Sequence, residues 1–224
     1  NDAVTKHIIG LTYSQSFFDG KMQNVFFAKD YVNHPNIRQT DQSTVTGSDK
    51  VQGSTTKNYF GYGTGLRYMF FDPLAVKVSY EHSIRLPIAR ELLGNGTTIY
   101  ANVALKPEKS NNVNLALFGT WHPASRHTIY YEANGFLRYV DNYIQTSVIE
   151  KEGMMQFVND PAVHIKGVEG EIRYDWDGRL QLMANVSYQD ARDQQKYKED
   201  GKPSATYDNH VPNRPWLFAV SYTH

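Results

Sequence analysis

The stretch GYGTG at 61–65 has the glycine density of a loop that could cradle a phosphate, and eight histidines are available to hold a metal. Glu169, Glu171 and Asp175 fall close enough in the chain to share a proton. Each of these chemistries needs a setting that the neighbouring residues withhold. A phosphate loop opens a helix, whereas GYGTG sits inside an alternating run in which Phe60, Tyr62, Leu66 and Tyr68 share one parity. Its glycines then read as small residues on the other face of a strand, leaving space or permitting curvature. The histidines form neither an HExxH pair nor any close ligand spacing. An acid–base pair needs environments that separate two pKa values, but Arg173 shares the predicted face of the three carboxylates and pairs with them more simply. Cysteine is absent and no GxSxG element occurs, so thiol and serine nucleophiles drop out. No catalytic residue, metal site or cofactor is expected.

Contact chemistry is what remains. The polar stretch 33–57 offers His34 and Arg38, and the stretch 196–215 offers Tyr197, Tyr207 and His210. Their hydroxyl and amide neighbours suit a glycan or a siderophore, the tyrosines suit stacking, and the two histidines suit haem or a metal. A third stretch, RLPIARELLG at 85–94, mixes two arginines, Pro87 and Glu91 with leucines. It is too short for a free helix, and Asn95-Gly96 closes it. A short helical turn there would let Arg85, Arg90 and Glu91 brace a loop, so this stretch is ranked as scaffold and the other two as ligand contacts.

The elements that hold these stretches are strands. Leu74, Val76, Val78 and Tyr80 alternate with Ala75, Lys77, Ser79 and Glu81; Leu180, Leu182, Ala184 and Val186 alternate with Gln181, Met183, Asn185 and Ser187. Counting all such runs predicts about nine strands, many of ten residues or more. Asp19-Gly20, Asp72-Pro73, 122–126 and Asp177-Gly178 mark short turns, while 33–57, 84–110 and 193–214 are long polar links. Short turns at one end and long loops at the other is the plan of an up-and-down membrane barrel. Trp121, Trp176, Phe70 and Phe71 sit beside the short turns, and Tyr80, Tyr139 and Tyr188 approach the long loops, as interfacial belts require. A soluble all-β domain with one solvated face would alternate too. Lysine plus arginine equal aspartate plus glutamate, 23 against 23, so nothing electrostatic calls for nucleic acid. No run reaches the ~18 apolar residues of a membrane helix.

The passage SYEHSIRLPIARELLG…ANVALKPEKSNNVNLALFG resembles TonB-dependent outer-membrane receptors. The matching positions are Arg85, Pro87, Glu91 and Leu92, then Asn102, Leu105, Lys106, Pro107 and Glu108. FLRYVDNYIQ, Asn159 with Gly167-Val168-Glu169, and VPNRPWLFAVSY with Pro212 and Pro215 continue it in order. The resemblance implies an all-β fold, about nine strands of a larger barrel of about 22 with a plugged lumen. It implies that 1–224 is an internal portion of that barrel, with the plug domain and the final barrel strands not present. The implied function is active uptake of a scarce ligand, iron–siderophore by default, across the outer membrane of a Gram-negative bacterium. The implied partners are the TonB complex acting through the plug, a small-molecule or metal-chelate ligand, and outer-membrane lipid. A surface lipoprotein is a further partner the family admits, though no residue here calls for one. A passive porin or adhesin barrel and a soluble glycan-binding domain are the rival readings. The resemblance makes Arg85, Pro87, Glu91, Lys106, Pro107 and Glu108 a loop-bracing motif.

Overall fold

The computed structural model describes residues 3–36, 56–95, 97–149, 153–197, 202–211 and 214–223. Nine long strands form one antiparallel meander: β1 (Ala3–Phe17), β2 (Met22–Asn36), β3 (Lys57–Phe71), β4 (Leu74–Arg85), β6 (Glu108–Ala124), β7 (His127–Ile149), β8 (Met154–Trp176), β9 (Leu180–Asp193) and β10 (Trp216–Thr223). Between β4 and β6 lie a single helical turn, α1 (Ala89–Leu93), and the two-residue β5 (Ile99–Tyr100), which pairs parallel to β8. The nine expected strands are present, with β5 as a tenth that alternation could not disclose.

The tight turns carry the backbone geometry that short hairpins demand. Asp177 and Gly178 both have positive φ, 54° and 68°, which matches the twist of the flanking strands. Asp175 Oδ1 accepts the Gly178 N–H at 3.0 Å and closes that turn. At Asp72-Pro73 the Pro73 carbonyl accepts the Tyr131 hydroxyl, and it lies so close to Gly119 that a Cβ there would meet it at 1.8 Å. Glycine is therefore required at 119 for the turn to fold onto β6.

Register sorts the side chains into two faces. Leu66, Val78, Leu115, Gly135 and Val168 stand in one row across β3, β4, β6, β7 and β8. Their exposures, 40 % for Leu66, 44 % for Val78, 51 % for Leu115 and 58 % for Val168, belong to a face made for hydrocarbon and not for water. The adjacent row on the opposite face reads Arg67, Lys77, Ala116, Asn134 and Glu169, polar enough for a hydrated lumen. Glu171, Arg173 and Asp175 share that lumenal parity, as the sequence predicts. Within it Phe27 lies over Gly63 and Phe136 over Gly167, so two directly paired aromatics cover the gaps that glycine leaves.

Belts bound the apolar face. Near the turns are Tyr68 with Phe70 (4.9 Å), Trp121, and Trp176 stacked on His127. Near the long connections are Tyr62 with His82 (5.4 Å) and Tyr139 with His164 (4.6 Å). On β8 the outward residues from Trp176 to Lys166 are ten residue steps apart, about 25 Å at about 3.3 Å rise and a tilt of about 40°. β7 and β8, 23 residues each, continue well above that band.

Leu115 lies six residues from the Trp121 belt, about 15 Å and so near the bilayer centre. Leu115→Arg is expected to destabilise the membrane-folded protein by about 2–4 kcal/mol, whereas Asn114→Arg, facing the lumen, leaves it nearly unchanged. Reversible folding of the natural-length protein into lipid vesicles measures both.

Candidate functional site

The connection from β4 to β6 is built from local rules. Arg85 ends β4, and Pro87 removes a donor and forces the chain out of the sheet. Glu91 then folds back, its Oε2 accepting the Ile88 N–H at 2.9 Å, which caps the one turn of α1. Gly94 ends the turn at φ 66°, where any Cβ would lie 2.2 Å from the Ile99 carbonyl. Asn95 Oδ1 accepts the N–H groups of Thr97, Thr98 and Ile99, at 3.1, 2.9 and 2.8 Å, and so aims the chain into β5.

β5 lies along β8 above the outer belt. Met155 donates to the Thr98 carbonyl at 2.9 Å, Gln156 Nε2 to the Ala101 carbonyl at 2.9 Å, and Asn102 Nδ2 to the Phe157 carbonyl at 2.8 Å. Asn159 works in both directions, accepting the Lys106 N–H at 2.8 Å and donating to the Lys106 carbonyl at 3.0 Å. It also donates to the Asn142 carbonyl at 2.8 Å, where β7 passes through a positive φ of 55°. Leu92, Leu105 and Ile144 bury their side chains together beneath these bonds, with Leu93, Val103 and Phe157 around them.

Arg85 occupies the centre. Its Nε and Nη2 donate to the two oxygens of Glu108 at 2.7 and 2.8 Å, and Nη1 donates to Glu91 Oε1 at 2.9 Å. Glu108 Oε1 also accepts the Ile144 N–H at 2.7 Å, so one carboxylate joins β4, β6 and β7. The Glu108 hydrogen bond holds the guanidinium still more firmly charged than usual, against the opposing effect of burial. Lys6 of β1 donates to the Pro87 carbonyl; burial lowers its amine below the usual lysine value, Glu91 opposes that, and Arg85 adds to it.

Other candidate residues fall into separate places. His34 lies in β2, paired with Thr5, and not in a loop as expected, because β2 continues to Asn36; its Nδ1 is 2.8 Å from Thr56 Oγ1. Arg38 and most of the 33–57 stretch lie outside the described residues, as does Pro212. Tyr197 bridges Pro203 and is 64 % exposed; Lys196 Nζ sits 5.8 Å above the Tyr207 ring. His210 bridges Arg192, and its Nδ1 lies 3.1 Å from Asp190, a carboxylate that also takes Arg192 at 3.0 Å. Arg192 reaches Asp208 at 3.2 Å, which ties the β9–β10 connection to β9. Sequence reasoning missed Lys6 and this Asp190–Arg192–Asp208 cluster, since single charges inside an alternating strand carry no local signal. No contact links His34 with His210, and no group of His, Asp or Glu that could hold a metal ion occurs among the described residues.

Residues 13–224 match the model of the family described as TonB dependent receptor-like, beta-barrel. The chain belongs to that family. It is an outer-membrane β-barrel chain of the Gram-negative type, and its family is one of receptors and not enzymes. No curated protein matches the sequence. Among solved structures it is similar to the copper transporter OprC, at 18 % identity and a TM-score of 0.59, over 85 % of this chain and 30 % of that one. It is similar to the FrpB iron transporter of Neisseria meningitidis, at 14 % and 0.56, over 92 % and 29 %. The ferric-catecholate import receptor Fiu of E. coli K12 matches at 16 % and 0.54, over 90 % and 29 %. The chain thus spans about a third or less of the length of these receptors.

Arg85→Ala leaves Glu91 and Glu108 facing each other without their cation. The β4–β6 connection is expected to lose about 1–3 kcal/mol of local stability, read as lost amide protection from 86 to 107. Arg85→Lys restores only part of it, because an ammonium cannot fork onto one carboxylate while reaching another. A second outcome concerns Asp160, above the belt, whose carboxyl is raised above the usual range by burial and then by Asp193. A carboxyl raised in the folded state lends stability that is whole below the ordinary carboxylate pKa and is lost as pH rises through the raised value. Asp160→Asn is therefore expected to increase amide protection at the β7–β8 tip at pH 7 and to leave it unchanged at pH 4, after correction for intrinsic exchange.

Proposed function

We propose that this chain is an internal portion, 1–224, of the barrel of an active outer-membrane transporter that takes up a scarce ligand with energy supplied through TonB. The observation that carries the reading is the family match across 13–224 on a sheet whose exposed face is apolar and whose other face is polar. The energy would reach the barrel through a plug domain lying in the lumen. The barrel's share is differential binding between plug states, with no covalent step asked of it. The structurally similar receptors are named for copper, for iron and for ferric catecholate, which favours a metal or metal complex as cargo. An iron–siderophore is the default within that class.

In this reading Arg85, Pro87, Glu91, Lys106, Pro107 and Glu108 brace the mouth, and the β9–β10 connection with Tyr197, Tyr207 and His210 meets the ligand. Its exposed rings and adjacent Lys196 suit a flat anionic chelate. His34, near the end of β2, and Arg38, which follows β2 in the sequence, are the further candidates.

Deleting the gene for the intact receptor is expected to abolish growth on at least one defined iron, haem, cobalamin or copper source when that source limits growth. Uptake of that source should also stop when TonB is removed; uptake that persists without TonB would make the barrel a passive pore. Within the intact receptor, Tyr197→Ala with Tyr207→Ala is expected to weaken ligand binding roughly tenfold or more without lowering Tm.

A further inference from the structure

On the lumenal face Arg67 of β3 and Lys77 of β4 stand directly opposite each other in register. Like charges so placed repel and weaken a strand pair. Neither has a carboxylate within ion-pair distance among the described residues. Both border a cavity of about 580 Å³ on the lumen wall. Of the two carboxylates that also line it, Glu81 is paired with Lys29 at 3.4 Å, and Glu132 accepts the hydroxyl of Tyr130, which belongs to the same lining. Arg67 rests on the Phe118 ring, 5.5 Å from its centre, which fixes the direction of its fork. The Gln23 amide lies beside it in register.

We propose that Arg67 and Lys77 form an anion site on the lumen wall, taking one carboxylate- or phosphate-type group. The planar fork of Arg67 supplies two parallel donors, Lys77 supplies a point charge, and Gln23 supplies a neutral donor. A single anion between the two cations turns their mutual repulsion into shared attraction. The anion comes from one of two sources: a side-chain carboxylate of a protein segment lying in the lumen, or a free anionic solute passing through it. The inference rests on the lumenal parity of these residues and does not depend on transport.

Thermal unfolding of the natural-length protein in detergent, at constant ionic strength, with and without citrate, tests it. Wild type is compared with K77Q, R67Q, their double variant and the charge-keeping R67K. With a protein carboxylate in the site, K77Q lowers Tm by a few degrees although it relieves like-charge repulsion, and citrate leaves the wild type unchanged. With a free anion, citrate raises the wild-type Tm, and the double variant loses roughly tenfold in citrate affinity while R67K, which keeps the charge but not the fork, loses less. The proposal is overturned if K77Q leaves Tm unchanged or raised and citrate acts alike, or not at all, on wild type and double variant. Lys77 is exposed, so K77Q carries the test even where R67Q fails to fold.

Discussion

A peptide N–H or C=O facing hydrocarbon must find a partner in the protein, because lipid offers none. That constraint shapes the described sheet. The strands are long, their register is nearly continuous, and neighbours in sequence are neighbours in space. It also explains why irregular backbone is confined to the ends. The single-residue register shift between β3 and β4 falls at Met69/Phe71, beside the turn, and that between β6 and β7 falls at Trp121/Ala124, again beside the turn. Irregularities at those positions expose their unpaired groups to water or headgroups.

Above the outer belt the same backbone requirement is met by other means. β8 runs past the end of β9, since their pairing ends at Val163 with Asp193, and its upper edge is covered by the Gln194 N–H on the Ala162 carbonyl, by Asn102 and by β5. Asn159, Gln156 and Glu108 satisfy backbone groups that no strand reaches. An exposed salt bridge contributes little. The Arg85 pairs differ in setting: the guanidinium is partly open to water, but side-chain exposure is only 9 % for Glu91 and 13 % for Glu108. With the carboxylates drawn in and also holding backbone N–H groups, the cation cannot leave without stranding them. The cluster therefore acts mainly on conformation, limiting the insert to one arrangement.

What was legible in the chain follows from which forces write a pattern. Lipid on one side and water on the other force a period of two, so Leu66, Val78 and Leu182 could be read along with the polar parity opposite them. Asp177-Gly178 could be read because only a few residues tolerate positive φ. Arg85, Glu91 and Glu108 could be grouped through resemblance, although nothing in their spacing says that one guanidinium touches both acids. Beyond the bilayer the pattern stops being enforced. There His34 reads as loop from its polar neighbours although it lies in strand, β5 is too short to alternate, and the asparagine clips are anonymous polar residues until the chain is folded. Asp190 and Arg192 escaped for a related reason: their partners, Asp208 and His210, come from across a loop.

Faces and connections also differ in how many arrangements they allow. The β4–β6 connection is held by a buried apolar cluster, by Arg85, and by paired backbone along β8. The β9–β10 connection is tied to β9 by the ion pairs Arg192 to Asp208 and His210 to Asp190, by backbone bonds such as Asp208 N–H to the Asp193 carbonyl and Val211 N–H to the Ala191 carbonyl, and by Val211 packed against Val163 and Ala191. Its rings, Tyr197 and Tyr207, remain outside that packing and exposed. A surface that must change its affinity needs a segment with more than one state of similar free energy, and such segments lie where few apolar contacts are buried. By that criterion the clamped β4–β6 insert has one arrangement. Tyr197 and Tyr207, proposed above as ligand contacts, lie outside the buried cluster of Val163, Ala191 and Val211, so a change at those rings leaves that packing intact.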